Sequence, residues 1–185
     1  MNRAAPAATV PRWRFGDDPA PLAAALDRGA VLAIPTESSY GLAADPRSQP
    51  GVDAILRLKG EGERGARPLP VVTARIEHLL PLGVAADDPA LAWAAPRWPA
   101  ALSVVVPLTG GPLPASLGEP TLAVRIPAHA GLRDLLAALG RPLTATSANR
   151  SGEPPHLSPV PLAAWLEAER GRAESGTAAS ASASA

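Results

Sequence analysis

Three short segments gather polar residues that a buried core would not accommodate, and each grows out of an apolar run with the character of a strand. In the first, residues 34–45 (IPTESSYGLAAD), Pro35 ends the run, and Thr36, Glu37, Ser38, Ser39 and Tyr40 follow before Gly41 frees the backbone. Hydroxyls crowded at a strand's carboxyl end are well placed for ligand contact in an open α/β sheet. The alternative is an ordinary turn whose hydroxyls satisfy their own backbone. In the second, residues 121–127 (TLAVRIP), Arg125 shares a face with Thr121 and the small Ala123. A guanidinium beside so small a neighbour can hold a carboxylate or phosphate through two hydrogen bonds; the alternative is an ion pair with a structural Asp or Glu. The third, residues 143–155 (LTATSANRSGEPP), strings Thr144, Thr146, Ser147, Asn149 and Ser151 before Gly152. One cation stands apart: among 17 basic residues only Lys59 is a lysine, a compact ammonium in a chain that otherwise uses arginine.

These groups need elements to hold them. Asp18 caps a helix from Pro19 to Arg28 that Gly29 stops. Residues 30–34 read as a buried strand, and Val52, Ile55 and Leu56 have helical spacing up to Gly60, just after Lys59. A polar Gly-rich loop, GEGERGAR, leads to a strand at 69–73. A helical segment around 90–95, with Asp87 and Asp88 before Pro89 as its cap, precedes a short strand at 103–106. Leu122, Val124 and Ile126 alternate with Thr121, Ala123 and Arg125, the period of a half-buried strand. Leu132, Leu135, Leu136 and Leu139 form a helical stripe closed by Gly140. A strand at 142–147 and a helix from Ser158 to about Arg170 complete the pattern. Alternating strands and helices predict an α/β fold, a sheet covered by helices. Residues 1–16 read as a loose leader, 17–171 as one domain, and 172–185 as a disordered Ser/Ala tail.

Composition narrows the chemistry. With no cysteine, the chain has no disulfide, thiolate metal site or cysteine nucleophile. The three histidines, His78, His129 and His156, lack ligand spacing, and His129 reads as a surface loop residue. There is no Walker phosphate loop and no G-x-S-x-G elbow. Acidic and basic residues balance, so any nucleic-acid contact must be a local patch. No apolar run reaches membrane-spanning length, and a cytoplasmic protein is expected.

At the same three segments the chain resembles the YrdC-like family, of the threonylcarbamoyl-AMP synthase, YrdC/YciO/YwlC type. The family's P-T-E-T-x-Y-G-L is matched by Pro35 to Leu42, with Ser38 for the second Thr. Its Lys-ended helix and basic loop before P-L are matched by Lys59, Arg64, Arg67, Pro68 and Leu69, although this loop is longer than usual and Glu61 stands where Arg is expected. Its W-P-G-x-L-T corresponds to Trp98 to Ser103, with Ala100 and Ser103 for Gly and Thr. T-x-A-V-R-x-P and S-A-N-x-S-G are matched without change by Thr121 to Pro127 and Ser147 to Gly152. The family's later S-T-V-V-D and R-x-G elements have no counterpart here.

The resemblance implies a twisted mixed sheet flanked by helices around a concave basic cavity. It implies L-threonine, bicarbonate and ATP with Mg2+ as substrates, and a product, threonylcarbamoyl-adenylate, handed to machinery that modifies an adenosine of tRNA. Carried over residue by residue, Thr36, Ser38 and Tyr40 would lie against the amino acid and Arg125 would hold its carboxylate. Lys59 with Arg64 or Arg67 would bind bicarbonate and phosphates, and Thr121, Ser147, Asn149 and Ser151 would contact the nucleotide or order the pocket. No side chain is needed as a catalytic base, because such chemistry runs on positioning and charge neutralisation. Two other readings are open: a catalytically reduced module that binds double-stranded RNA, tRNA or a nucleotide, and a relative acting on another carbamoyl-type substrate, as YrdC-like domains do in hydrogenase maturation.

Overall fold

The structure is a computed structural model that describes residues 10–61 and 65–182, with side chains described as far as residue 172. Five helices, α1 (Ala20–Asp27), α2 (Gln49–Lys59), α3 (Pro89–Ala94), α4 (Ala130–Leu139) and α5 (Pro159–Ser182), alternate with short strands. The mixed α/β fold is the one expected, but its strands are divided between two sheets. β1 (Leu32–Pro35), β2 (Tyr40–Ala43) and β7 (Thr146–Ser147) form an antiparallel sheet in the order β1-β2-β7. β4 (Val104–Pro107), β5 (Thr121–Arg125), β3 (Val71–Val72) and β6 (Leu143–Thr144) form the second, in the order β4-β5-β3-β6, with β3 parallel to β5. The expected strand at 142–147 is thus two strands that break at Ala145 and serve different sheets. Thr144 joins them: its Oγ1 accepts from the Ala44 N–H at 2.9 Å, and its own N–H donates to the Ala44 carbonyl.

Alternation in the strands covers both faces. Val71 and Leu42 enter a main core with Val52, Ile55, Leu122, Val124 and Leu162, while their neighbours Val72 and Ala43 enter a second with Leu26, Leu132 and Leu136. Helices α2 and α5 therefore lie over one core, and α1 and α4 over the other. The expected punctuation is present in part: Asp88 caps α3, and Gly60 and Gly140 end α2 and α4 at φ +67° and +64°, while Ser48, which was not expected, caps α2 by accepting from the Gly51 N–H.

Other expectations need correction. His129 is the cap of α4, its Nδ1 accepting from the Leu132 N–H at 3.1 Å. Of the expected loose leader, residues 1–9 lie outside the described residues, and residues 10–16 make defined contacts. Phe15 packs edge-on to Trp13, beside the His129 ring and directly over Gly131, where a Cβ would stand 3.0 Å from the ring; two of the chain's few aromatics find their apolar surface there. Helix α5 runs to Ser182, past the expected end near Arg170 and into the stretch read as a disordered tail, whose last three residues lie outside the described ones. Alanine, the best helix former, recurs along that stretch.

Asp45, at the exit of β2, fixes the link to α2. Burial alone would raise its pKa, but hydrogen bonds from the Arg47 side chain and backbone, with the Arg47 and Arg141 charges, outweigh burial and hold the carboxyl below its ordinary 3.8. A depressed folded value gives stability that is complete above the unfolded value and lost as pH falls through the folded one. Asp45→Asn is therefore expected to cost about 1–3 kcal/mol near neutrality. The gap from wild type should begin to close below about pH 4 and shrink as pH falls further, as urea unfolding from about pH 2.5 to about pH 7 would reveal.

Candidate functional site

The first sheet opens the site. β1 and β2 pair from Leu32↔Ala43 to Pro35↔Tyr40, so Thr36 to Ser39 must turn within four residues. Thr36 closes that turn: its N–H donates to the Ser39 carbonyl at 2.9 Å, and its Oγ1 donates to the same carbonyl at 2.8 Å while facing the Ser38 and Ser39 N–H groups. The hydroxyl is thus largely spent on its own turn, whereas Ser38 is exposed with its Oγ 3.3 Å from Thr36 Oγ1. Gly41 is required because β7 passes close by: a Cβ there would lie 3.1 Å from the Thr146 carbonyl oxygen.

Arg125 reaches this turn from the second sheet. It ends β5, pairs with Val72, and accepts the Thr73 N–H at its carbonyl. Its NH1 stands 2.9 Å from Glu37 Oε1, with the two side chains 19% and 17% exposed. Both Glu37 carboxylate oxygens are buried, yet neither receives an aligned hydrogen bond. The approach is close but off-line, so the pair neutralises charge without fixing direction. The guanidinium fork retains donors for a second oxyanion. Beside it, the Trp98–Ser103 loop is fastened by the Ala100 N–H on the Ile126 carbonyl and by Trp98 Nε1 on the Leu102 carbonyl.

The third segment folds against the other side of the hairpin. Gly41 pairs with Ser147, the Ala148 N–H donates to the Tyr40 carbonyl, and the Tyr40 N–H donates to the His156 carbonyl. Lys59 meets this segment from the end of α2. It is only 6% exposed, and its Nζ donates to the Ser147 carbonyl at 3.3 Å, 3.8 Å from Glu61 Oε1. The Ser151 N–H donates to the Lys59 carbonyl, and the Ser151 hydroxyl donates to Glu61. Asn149 is buried and spends its amide on the carbonyls of Arg150 and Glu153, leaving Oδ1 unpartnered.

Contacts therefore run unbroken from Arg125 through Glu37, Thr36, Gly41 and Ser147 to Lys59. Thr121 is not among them; it pairs with Pro107 at the far end of β5, about 13 Å from Arg125 at the usual strand rise. Arg67 is exposed in its loop, and Arg64 lies outside the described residues. Glu37 and Glu61 were not singled out as site residues, although each sits inside a recognised motif. Arg150 and Glu169 were missed too, and no local signal joins them. A separate cleft of about 420 Å³, bordered by Asp27, Arg47, His78 and Arg141, shares no lining residue with this cluster. Among the described residues no group of three acidic or histidine side chains could hold a metal ion.

Comparison with known proteins gives one consistent picture. The Sua5/YciO/YrdC family model, described as telomere recombination, matches residues 24–168. A Chromohalobacter salexigens protein named threonylcarbamoyl-AMP synthase is 40% identical over 136 residues, 73% of this chain and 72% of that one. A Thiobacillus denitrificans protein of the same name is 37% identical over 135 residues, 72% and 71% of the two chains. The crystal structure of P. abyssi Sua5 complexed with L-threonine superposes with a TM-score of 0.64 at 33% identity, covering 75% of this chain and 40% of the longer Sua5 chain. With the motifs drawn into one cluster and the match running through nearly all of the described domain, the chain belongs to the Sua5/YciO/YrdC family.

Proposed function

We propose that this chain is a threonylcarbamoyl-AMP synthase, a transferase that joins L-threonine, bicarbonate and ATP. In this reaction the threonine nitrogen attacks the carbon of bicarbonate, a C–O bond breaks, and water leaves with a nitrogen proton to give a carbamate. A carbamate oxygen then attacks the α-phosphorus, and pyrophosphate leaves. The observation that carries the reading is the chain of contacts that joins Arg125, the 36–39 turn, the 147–151 loop and Lys59. Every reactant is an anion or carries a carboxylate, so a pocket of cations and N–H donors is the catalytic device required.

In this reading Arg125 takes the threonine carboxylate with the donors that Glu37 leaves, and Ser38, Thr36 and Tyr40 border the amino acid. Lys59 faces bicarbonate and phosphate oxygens, with Arg64 or Arg67 approaching from the loop. Ser147, Asn149 and Ser151 present the nucleotide loop, and Thr121 orders β5. In the same reading the expected concave basic cavity would lie between these groups, and magnesium would arrive on the ATP phosphates. The product passes to a tRNA-modifying partner in the cytoplasm; no helix among the described residues is long and apolar enough to cross a membrane. The double-stranded RNA module is the less favoured reading, because relatives that match over most of their length carry the synthase name.

Pyrophosphate release should require threonine, bicarbonate and ATP together, and omission of any one should bring it to background. A folded protein that releases none with all three present would remove this reading.

A further inference from the structure

Helix α5 leaves the 147–152 loop and then returns to grip it. Leu162 is buried in the main core, and the Trp165 ring lies against His156 with centroids 5.2 Å apart. One turn later Glu169, only 8% exposed, receives Arg150. Arg150 Nε donates to Oε1 at 3.2 Å, and NH2 donates to Oε1 at 2.9 Å and to Oε2 at 2.7 Å. Arg172 also donates to Oε1. A forked guanidinium–carboxylate contact around a buried acid is strong and directional.

Its position in the chain gives the clamp a purpose. Arg150 stands between Asn149, which ties the loop to its own carbonyls, and Ser151, which is bound to the Lys59 carbonyl and to Glu61. Arg150 NH1 also lies 3.6 Å from where a Cβ on Gly60 would stand, against the turn that follows Lys59. Movement of Arg150 would therefore shift the loop and the lysine turn relative to each other.

We infer that Glu169 is a positioning residue for the anion-binding loop: by fixing Arg150 to α5 it sets the spacing between the 147–151 loop and the Lys59 turn, and thereby the fit of nucleotide phosphates. The phosphate part rests on the proposed function; the loop-ordering part does not. Glu169→Gln keeps the shape and weakens the clamp, and should raise the KM for ATP about tenfold, roughly one charge-assisted hydrogen bond. The KM for threonine should stay within about twofold, since Arg125 and the 36–39 turn are held by other contacts. Arg172→Ala should leave the KM for ATP unchanged, and the exchanged pair Arg150→Glu with Glu169→Arg should recover most of the loss. Amide hydrogen exchange supplies a readout without turnover. In Glu169→Gln the Ser151 and Glu153 amides should exchange about tenfold faster, while the Gly140 amide at the end of α4 is unaffected. Equal rises in both KM values, or unaltered exchange at Ser151 and Glu153, would overturn the inference. A wild-type protein that releases no pyrophosphate but shows the exchange difference would overturn the synthase reading and leave the loop-positioning role standing.

Discussion

Arg125→Gln is expected to raise the KM for threonine roughly ten- to over a hundredfold, the range for losing one charge-assisted contact. The KM for ATP should move far less, because Lys59 and the 147–151 loop reach the hairpin from the opposite side. The difficulty is Glu37. It lies 2.9 Å from Arg125 NH1 with both carboxylate oxygens buried, so the substitution also strands an acid. Orphaning one partner of a fully buried pair costs about 3–5 kcal/mol; here the cost should be smaller, since about a fifth of each side chain is exposed. Some loss of activity could then come from unfolding. The double variant Glu37→Gln with Arg125→Gln separates the two effects, because it removes the stranded charge and restores thermal stability without returning a cation. If Arg125 binds the substrate carboxylate, threonine KM stays high in the double variant. If it recovers with the melting temperature, Arg125 only served its ion pair, and the carboxylate is held elsewhere.

What the sequence could reveal here depended on how local the cause was. The Thr121–Arg125 alternation put Leu122 and Val124 in the core and Arg125 on the other face, as observed, because the strand period is a property of consecutive residues. The α4 stripe and the glycines after α2 and α4 were legible for the same reason. The break at Ala145 was not, since nothing in that stretch announces that Thr144 pairs with one sheet and Thr146 with another. Strand β2 was hidden too: Tyr40 to Ala43 is extended because β1 and β7 flank it, and Gly41 reads locally as a breaker. Thr121 shows another limit of a motif, which can carry two residues that stand at opposite ends of one strand. The acids are the hardest case. Glu37 meets a cation from a distant strand and Glu169 one from the loop that precedes its own helix; pairs of this kind have no period to read.

The substitution with the largest expected loss of turnover is Lys59→Met. Lys59 is the last residue of α2, and Gly60 in the left-handed conformation stops the helix so that the side chain points back toward Ser147. A buried ammonium there has one backbone acceptor and one acid, Glu61, at 3.8 Å, where the family pattern has an arginine. Two effects oppose each other. Glu61 stabilises the ammonium in a poorly hydrated site, and by neutralising part of its charge it weakens its pull on bicarbonate or phosphate. Removing a donor aimed at developing charge typically lowers kcat about 10²–10³-fold, and Lys59→Met should fall in that range at saturating substrates. Lys59→Arg should not rescue it, because a planar fork cannot take the place of a compact ammonium in so closed a site. Glu61→Gln should act in the other direction, keeping turnover and lowering the KM for bicarbonate, since the lysine charge is then less compensated. If Lys59 were only a strut for the 147–151 loop, Lys59→Met would lower thermal stability and raise the KM for ATP, with kcat at saturation within about threefold of wild type. The sign of the Glu61→Gln effect then decides between the two roles, because a strut freed from its acid gains nothing for an anion.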